Sequence, residues 1–436
     1  MSTLKNASVT LTAQVILIPV GIINSVITAR FLGLDGKGLF YAIMMNATLL
    51  STLFSFGTAG INRNLAGRPE TDRRALMGHN LSLLLIITVI ALVISRLYRN
   101  IPIQFFQKYP PELWMLTFIG FPLLFMQMNF MGLFISLNRI HIYNGIRIFT
   151  ALFQMLYNIV FLGLFHLGYA TAAIGWCLSL LIVILFSFYR LRSYISLQGF
   201  DLKQSYAFFR FGFVICLSSI VNIISFQGTV YIVQYYLTPG DLGIYSIVKN
   251  ISGFLYLVPT SVGVAALPNF AAQPIHEANR LLSKAVRTNA IVSFTAMVGL
   301  AFLAYFMVVP LYGQAFRPAV VPALIALPGV FLFGFAHITT PYYASAHKKP
   351  GVNTALSLLQ AVLALCLGLL FVPRYGVVGA ALTTTMTFTI SIVVNFLVLR
   401  LYSGLGFVHF LPNSSDVSYL FNIFKSSMQK IRPGVR

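Results

Sequence analysis

The sequence predicts an all-α polytopic membrane protein with about 12 transmembrane helices in two six-helix bundles. Three observations carry this. Of the 436 residues, 58% are hydrophobic and only 8% are charged, against roughly 25% charged in a soluble domain. The apolar residues fall in runs of the length that spans a bilayer, about 20 residues. The cations are strongly biased to alternate loops between those runs, as topogenic charges are.

Taken in order, the spans run over about 8–30, 38–60, 76–97, 113–137, 143–167, 169–189, 207–235, 243–268, 285–309, 319–345, 352–372 and 376–402. The first follows a single Lys5 and is far longer than a signal-peptide core, so it is expected to stay in the mature chain. Pro19 and Gly21 interrupt it. The fifth and sixth are separated only by His166-Leu167-Gly168-Tyr169. Pro259 falls in the eighth, and Pro322, Pro328 and Pro341 in the tenth, where each removes a helical hydrogen bond and kinks the helix. Cys177, Cys216 and Cys366 all lie inside apolar runs and read as small packing residues. The connections are short and leave no room for a soluble domain.

Twenty-one of the 29 cations fall in the even-numbered loops and the two ends, seven in the odd-numbered loops, and Lys249 inside a span. The rich side should be cytoplasmic, with both termini inside. The net charge of +21 is therefore mostly orientation and not a nucleic-acid footprint. After Leu401, Val417, Leu420, Phe421, Phe424, Met428 and Ile431 recur at helical spacing among Lys425 and Lys430. This predicts a cytoplasmic amphipathic tail, resting either on the membrane or on the protein itself.

The chain also resembles itself. Residues 31–40, Phe-Leu-Gly-Leu-Asp-Gly-Lys-Gly-Leu-Phe, align with 236–245, Tyr-Leu-Thr-Pro-Gly-Asp-Leu-Gly-Ile-Tyr, at a shift of 205. Residues 168–173 align with 376–381 at a shift of 208. Two halves follow: an N-terminal lobe over 1–197, a C-terminal lobe over 198–405, and the tail over 406–436. Six spans per half make the repeats parallel, an arrangement found in transporters whose substrate site lies between two bundles.

Polar stripes mark the first two spans of each half. They are Gln14, Gly21, Ser25 and Thr28, with Asn24 beside them; Tyr41, Thr48, Thr52, Ser55 and Asn62; Ser218, Asn222, Ser225 and Thr229; and Ser246, Lys249, Gly253, Tyr256 and Thr260. Such stripes face either a wet cavity or other helices. Lys249 is the sharpest residue. It lies about 9 Å inside the eighth span, where a cation costs on the order of 2.5–3.5 kcal/mol. It either snorkels to the interface or awaits an anionic ligand. Arg30 ends the first span and reads as a ligand group or an interfacial anchor. Arg63 and Arg147 sit at cytoplasmic ends and suit topogenic charges. All eight acids fall in loops or at span ends, so no intramembrane carboxylate is available for a cationic cargo. The chain carries no Walker loop, HExxH or nucleophile elbow. No enzyme, cofactor or metal site is therefore expected.

Ala29-Arg30-Phe31-Leu32-Gly33-Leu34-Asp35-Gly36-Lys37-Gly38, then Phe56-Gly57 and Arg63, resembles the start of bacterial Wzx-type polysaccharide flippases. These belong to the multidrug/oligosaccharidyl-lipid/polysaccharide (MOP) exporter superfamily. The resemblance extends to length, span number and the two-half repeat, over about 8–402. It implies two bundles around a central V-shaped cavity in a bacterial inner membrane. It also implies a cargo, an undecaprenyl-diphosphate-linked oligosaccharide for O-antigen, capsule or exopolysaccharide assembly. Partners would then be that lipid-linked oligosaccharide, membrane lipids, a polysaccharide polymerase and other assembly proteins. Lys249 and Arg30 would meet the diphosphate, with Arg63 a further basic candidate; Tyr256, Asn24 and Asn222 would meet sugars. Related lipid II flippases have fourteen spans and arginines within the first, which this chain lacks. The alternatives are a cation-coupled drug or small-molecule exporter of the same fold, or a membrane glycan polymerase or ligase.

Overall fold

The computed structural model describes residues 2–55, 108–192 and 202–413, with isolated positions between 78 and 93 and at 416 and 418. Most of the third expected span, Arg63 and most of the tail lie outside the described residues. The helices are α1 (Ser2–Leu53), α2 (Pro111–Ser136), α3 (Ile140–Asn158), α4 (Tyr169–Leu191), α5 (Leu202–Tyr236), α6 (Pro239–Gly253), α7 (Leu257–Ala272), α8 (Ile275–Tyr312), α9 (Val320–Phe333), α10 (Ala336–Pro341) and α11 (Pro350–Ser403). Among the described residues there is no strand. Helix is what lipid demands, because each backbone group must find its partner within the segment.

Nine helical stretches among the described residues are long and apolar enough to cross a membrane. Two of them each supply a pair of spans. α1 bends at Gly33 (φ 66°, ψ −168°) and α11 at Gly376 (φ 58°, ψ −136°). These left-handed conformations are open to glycine at little cost. The bends fall where the apolar runs 8–30/38–60 and 352–372/376–402 meet.

The chain divides into two compact units. Unit 1 is Met1–Ile223 with Leu237–Gly243; unit 2 is Ile224–Tyr236 with Ile244–Arg436. In unit 1, α1 packs on α2, α3 and α4. Phe125, Phe130, Leu133, Phe134, Ile142, Ile146, Val183 and Ile184 form a core there. A buried amide chain crosses the same unit. Asn158 Nδ2 donates to Asn24 Oδ1 (2.8 Å), and Gln154 Nε2 donates to Asn158 Oδ1 (3.3 Å) and to the Ala172 carbonyl (3.1 Å).

The segment 237–243 is held in unit 1 by its own chemistry. Thr238 caps α6, its Oγ1 accepting from the Asp241 N–H (3.2 Å), while Asp241 Oδ2 accepts from the Thr238 N–H (3.1 Å). Pro239 takes the first helical position, where its missing N–H costs nothing. Lys108 Nζ donates to the Leu237 carbonyl (2.7 Å). Burial lowers the Lys108 amine and the nearby Asp241 carboxylate partly offsets this. Gly38 and Gly243 pack against one another here: a Cβ on Gly38 would overlap the Pro239 carbonyl oxygen, and one on Gly243 the Leu34 carbonyl oxygen.

In unit 2, α9 packs on α8 and α11, and α7 on α8 and α10. α8 has 38 residues, or about 57 Å of helix, nearly twice the roughly 30 Å hydrocarbon core. Arg280, Lys284 and Arg287 therefore ride on its first turns and not on a loop. The tail begins packed on this unit. Phe410 is buried in its core, and Arg287 Nε pairs with the buried Asp416 at 3.0 Å.

Two further expectations need correction. Cys177 and Cys216 are buried, but Cys366 is exposed; an apolar run does not reveal which face is packed. His347, expected to be a solvated loop residue, is half-buried with its Nε2 2.9 Å from the Tyr342 hydroxyl.

Candidate functional site

Lys249 lies on α6, one turn before that helix ends. Its Nζ donates to the Phe226 carbonyl of α5 at 2.9 Å. A helical carbonyl has a second lone pair, so Phe226 can accept this bond without breaking its own ladder. The lysine is thus fixed among helices, with no carboxylate paired to it among the described residues.

The Phe226 ring meets Tyr256 edge-on (centroids 6.2 Å), as well as Phe333 (5.3 Å) and Phe388 (6.4 Å). The His337 ring stands 5.5 Å from Tyr256 and 5.6 Å from Phe333. Among the described residues the Tyr256 hydroxyl, His337 Nε2 and Gln227 Oε1 are buried with no hydrogen-bond partner. Groups in that state cost free energy and call for an explanation. One cation, an aromatic box and three unpartnered polar atoms can together meet an anionic group and hydroxyls.

The other sequence candidates lie elsewhere. Asn24 is taken up by Asn158 in unit 1. Arg30 is exposed at the end of the first span, and Asn222 is exposed on the part of α5 that belongs to unit 1. Arg63 lies outside the described residues. Of the six, only Lys249 and Tyr256 come together, both on Phe226.

The stripe that joined them on paper does not hold as drawn. After Gly253 the chain tightens into a 3-10 turn over Phe254–Tyr256 before α7 begins, which shifts the phase of all that follows. Ser246 is fully buried and Thr260 exposed. In α5, Ser218 and Asn222 are exposed, but Ser225 and Thr229 are buried. Ser225 Oγ donates to the Ser357 carbonyl (2.6 Å), which is helix packing.

Sequence reasoning missed two residues. His337 was one of seven scattered histidines; its position inside the tenth span was the available signal. Lys37 was placed in an external loop. It is buried, its Nζ donating to Thr28 Oγ1 (2.6 Å) and to the Ser25 carbonyl (3.4 Å).

The family profile described as "Polysaccharide biosynthesis protein" matches residues 3–272, more than half of the chain. The chain belongs to this family. Its curated relative "Probable flippase AglR" from Haloferax volcanii is 22% identical over 252 residues, covering 56% of this chain and 52% of the relative. The chain thus spans about half the length of the curated relative it matches. Among solved structures, "Lipid II flippase MurJ, inward closed conformation" superposes with a TM-score of 0.74 at 14% identity, covering 89% of this chain and 87% of the other. An inward-facing multidrug resistance MATE transporter of the MOP superfamily gives 0.68 at 16%, covering 91% and 98%. This member of the polysaccharide biosynthesis family therefore has the fold of MOP-superfamily transporters and is a multi-pass membrane protein. The relatives it resembles are named as flippases and transporters, none as an enzyme.

Proposed function

We propose that this protein is a flippase for an undecaprenyl-diphosphate-linked oligosaccharide, moving it from the cytoplasmic to the outer leaflet by alternating access for O-antigen, capsule or exopolysaccharide assembly. It works in the bacterial inner membrane with both termini in the cytoplasm. The observation that carries this reading is Lys249, a cation within a span whose bonded partner is a backbone carbonyl. A diphosphate would supply the missing anion, and the Tyr256 hydroxyl and His337 Nε2 would take sugar hydroxyls while the prenyl chain stays in lipid. Arg30, Asn24, Asn222 and Arg63 are secondary candidates on this reading, Asn24 the weakest because it is already bonded. A polysaccharide polymerase and other assembly proteins would receive the product.

Deleting the gene should abolish one surface glycan and leave its lipid-linked unit accessible only from inside. Unchanged surface glycan in the deletion strain would sink the proposal.

The likeness to a MATE transporter fold favours a second reading, a cation-coupled exporter of small molecules. The two part on cargo charge: that exporter would need a carboxylate facing its cargo, and the described acids Asp35, Glu112, Asp241, Glu277 and Asp416 lie at helix starts, at the α1 bend or in the tail. Purified protein in liposomes that moves a cationic dye but no lipid-linked oligosaccharide would decide for the exporter.

A further inference from the structure

Unit 1 carries an apolar groove of about 260 Å³ between α3 and α4, far from Lys249 in sequence and built on different helices. Ile142, Gly145, Phe149, Ile182, Val183 and Phe186 line it. The α3 members recur at three- and four-residue spacing, so they form one face about two turns, or about 10 Å, long. Ile142 and Val183 also belong to the packed core, and they make the floor. Phe149 and Phe186 are exposed and make the walls.

Gly145 has no packing reason to be glycine. A Cβ there would meet nothing within 4 Å, and its φ is not one that demands glycine. Glycine is a poor residue for a helix interior, so its presence here leaves space where other residues would fill it.

One end of the groove is basic. Arg190 follows Phe186 by one turn and lies over that ring, 5.8 Å from its centroid. Arg139, half-buried, stands one turn before Ile142 on the same face of α3. The acids described in unit 1, Asp35, Glu112 and Asp241, belong to the opposite ends of the helices. By the charge bias, the Arg139/Arg190 end lies at the cytoplasmic leaflet.

We infer that this groove binds an anionic glycerophospholipid of the cytoplasmic leaflet, one acyl chain lying along Gly145 and the phosphate head meeting Arg190 and Arg139. Charge complementarity selects an anionic head over a zwitterionic one. The groove's volume is below the roughly 300–1,000 Å³ that encloses a whole drug-sized ligand, which suits part of one chain. It also opens over one leaflet only, which suits a resident lipid and not a cargo that must cross.

The test is native mass spectrometry of the full chain released from detergent, with phosphatidylglycerol and phosphatidylethanolamine supplied in equal amounts. Wild type should retain phosphatidylglycerol with roughly tenfold preference, the order expected of two basic side chains at an anionic head. Gly145→Leu, which fills the groove without touching protein, should lose the bound lipid while keeping the wild-type elution volume and thermal midpoint. The Arg139→Gln, Arg190→Gln double variant should bind the two lipids equally. Arg317→Gln, a cation outside unit 1, should behave as wild type. Equal retention of both lipids by wild type, or full retention by Gly145→Leu, would overturn the inference. So would displacement of phosphatidylglycerol by equimolar undecaprenyl phosphate, which would mark the groove as a cargo site.

Discussion

Gly38 and Gly243, 205 positions apart in the chain, occupy matching places in the two copies of the internal repeat and lie against each other in unit 1. A Cβ on Gly38 would stand 2.9 Å from the Gly243 backbone nitrogen and would overlap the Pro239 carbonyl oxygen; the reverse holds for Gly243 against the Leu34 carbonyl oxygen. Leu34 and Pro239 are themselves repeat equivalents, so the contact is reciprocal. The obstacles are backbone atoms, which cannot rotate aside.

Gly38→Ala and Gly243→Ala should therefore each destabilise the protein by about 1–3 kcal/mol or more, the range for overpacking a close contact. The double variant should cost less than the sum, since either methyl already parts the two segments. Gly299, whose Cβ would meet nothing, supplies the control; Gly299→Ala should be neutral or mildly stabilising. Thermal midpoints in detergent read all four.

Lys249→Gln keeps a donor for the Phe226 carbonyl and removes the charge. Export should fall roughly tenfold or more, the order of one lost charge-assisted hydrogen bond, with protein level in the membrane unchanged. Lys249→Arg should retain part of the activity. Normal export by Lys249→Gln would reduce the lysine to a packing role.

Asn158 is fully buried between Asn24 and Gln154. Asn158→Ala leaves those amides short of a partner and should cost about 1–3 kcal/mol. A double-mutant cycle with Asn24→Ala should show coupling of about 0.5–3 kcal/mol. If Asn24 also touches cargo, Asn24→Ala will lower transport by more than its stability loss explains; a loss in stability alone would confine it to packing.

How much of this was legible beforehand varies by kind. The spans were, because apolar content is a local property. The depth of Lys249 was legible for the same reason. Lys37 was not: its burial depends on one left-handed residue, Gly33, which turns it back toward Thr28. The Asn24–Asn158 bond joins residues 134 apart, and nothing near Asn24 announces it. His337 gains meaning only from Tyr256 and Phe226, which arrive on other helices. The stripe through Tyr256 failed because a three-residue 3-10 turn breaks the helical period on which it was drawn.

His347 gives a pH prediction. Burial, with Lys349 nearby, holds its pKa below the ordinary 6.5. The unfolded chain then takes up the proton first, so the stability this residue contributes is present above pH 6.5 and is lost as pH falls through that value toward the depressed one. The thermal midpoint should drop on going from pH 7.5 to 5.5, and His347→Gln should flatten that drop. An unchanged slope in the variant would mean that other groups govern it.

The bend at Gly33 bears on how the chain enters the bilayer. Two spans joined by a single residue have no tether long enough to let the first settle while the second waits, so they must go in together as a hairpin. Lys37 then never crosses oil as a bare ammonium ion. It arrives already bonded to Thr28 and Ser25, carried by the span that precedes it.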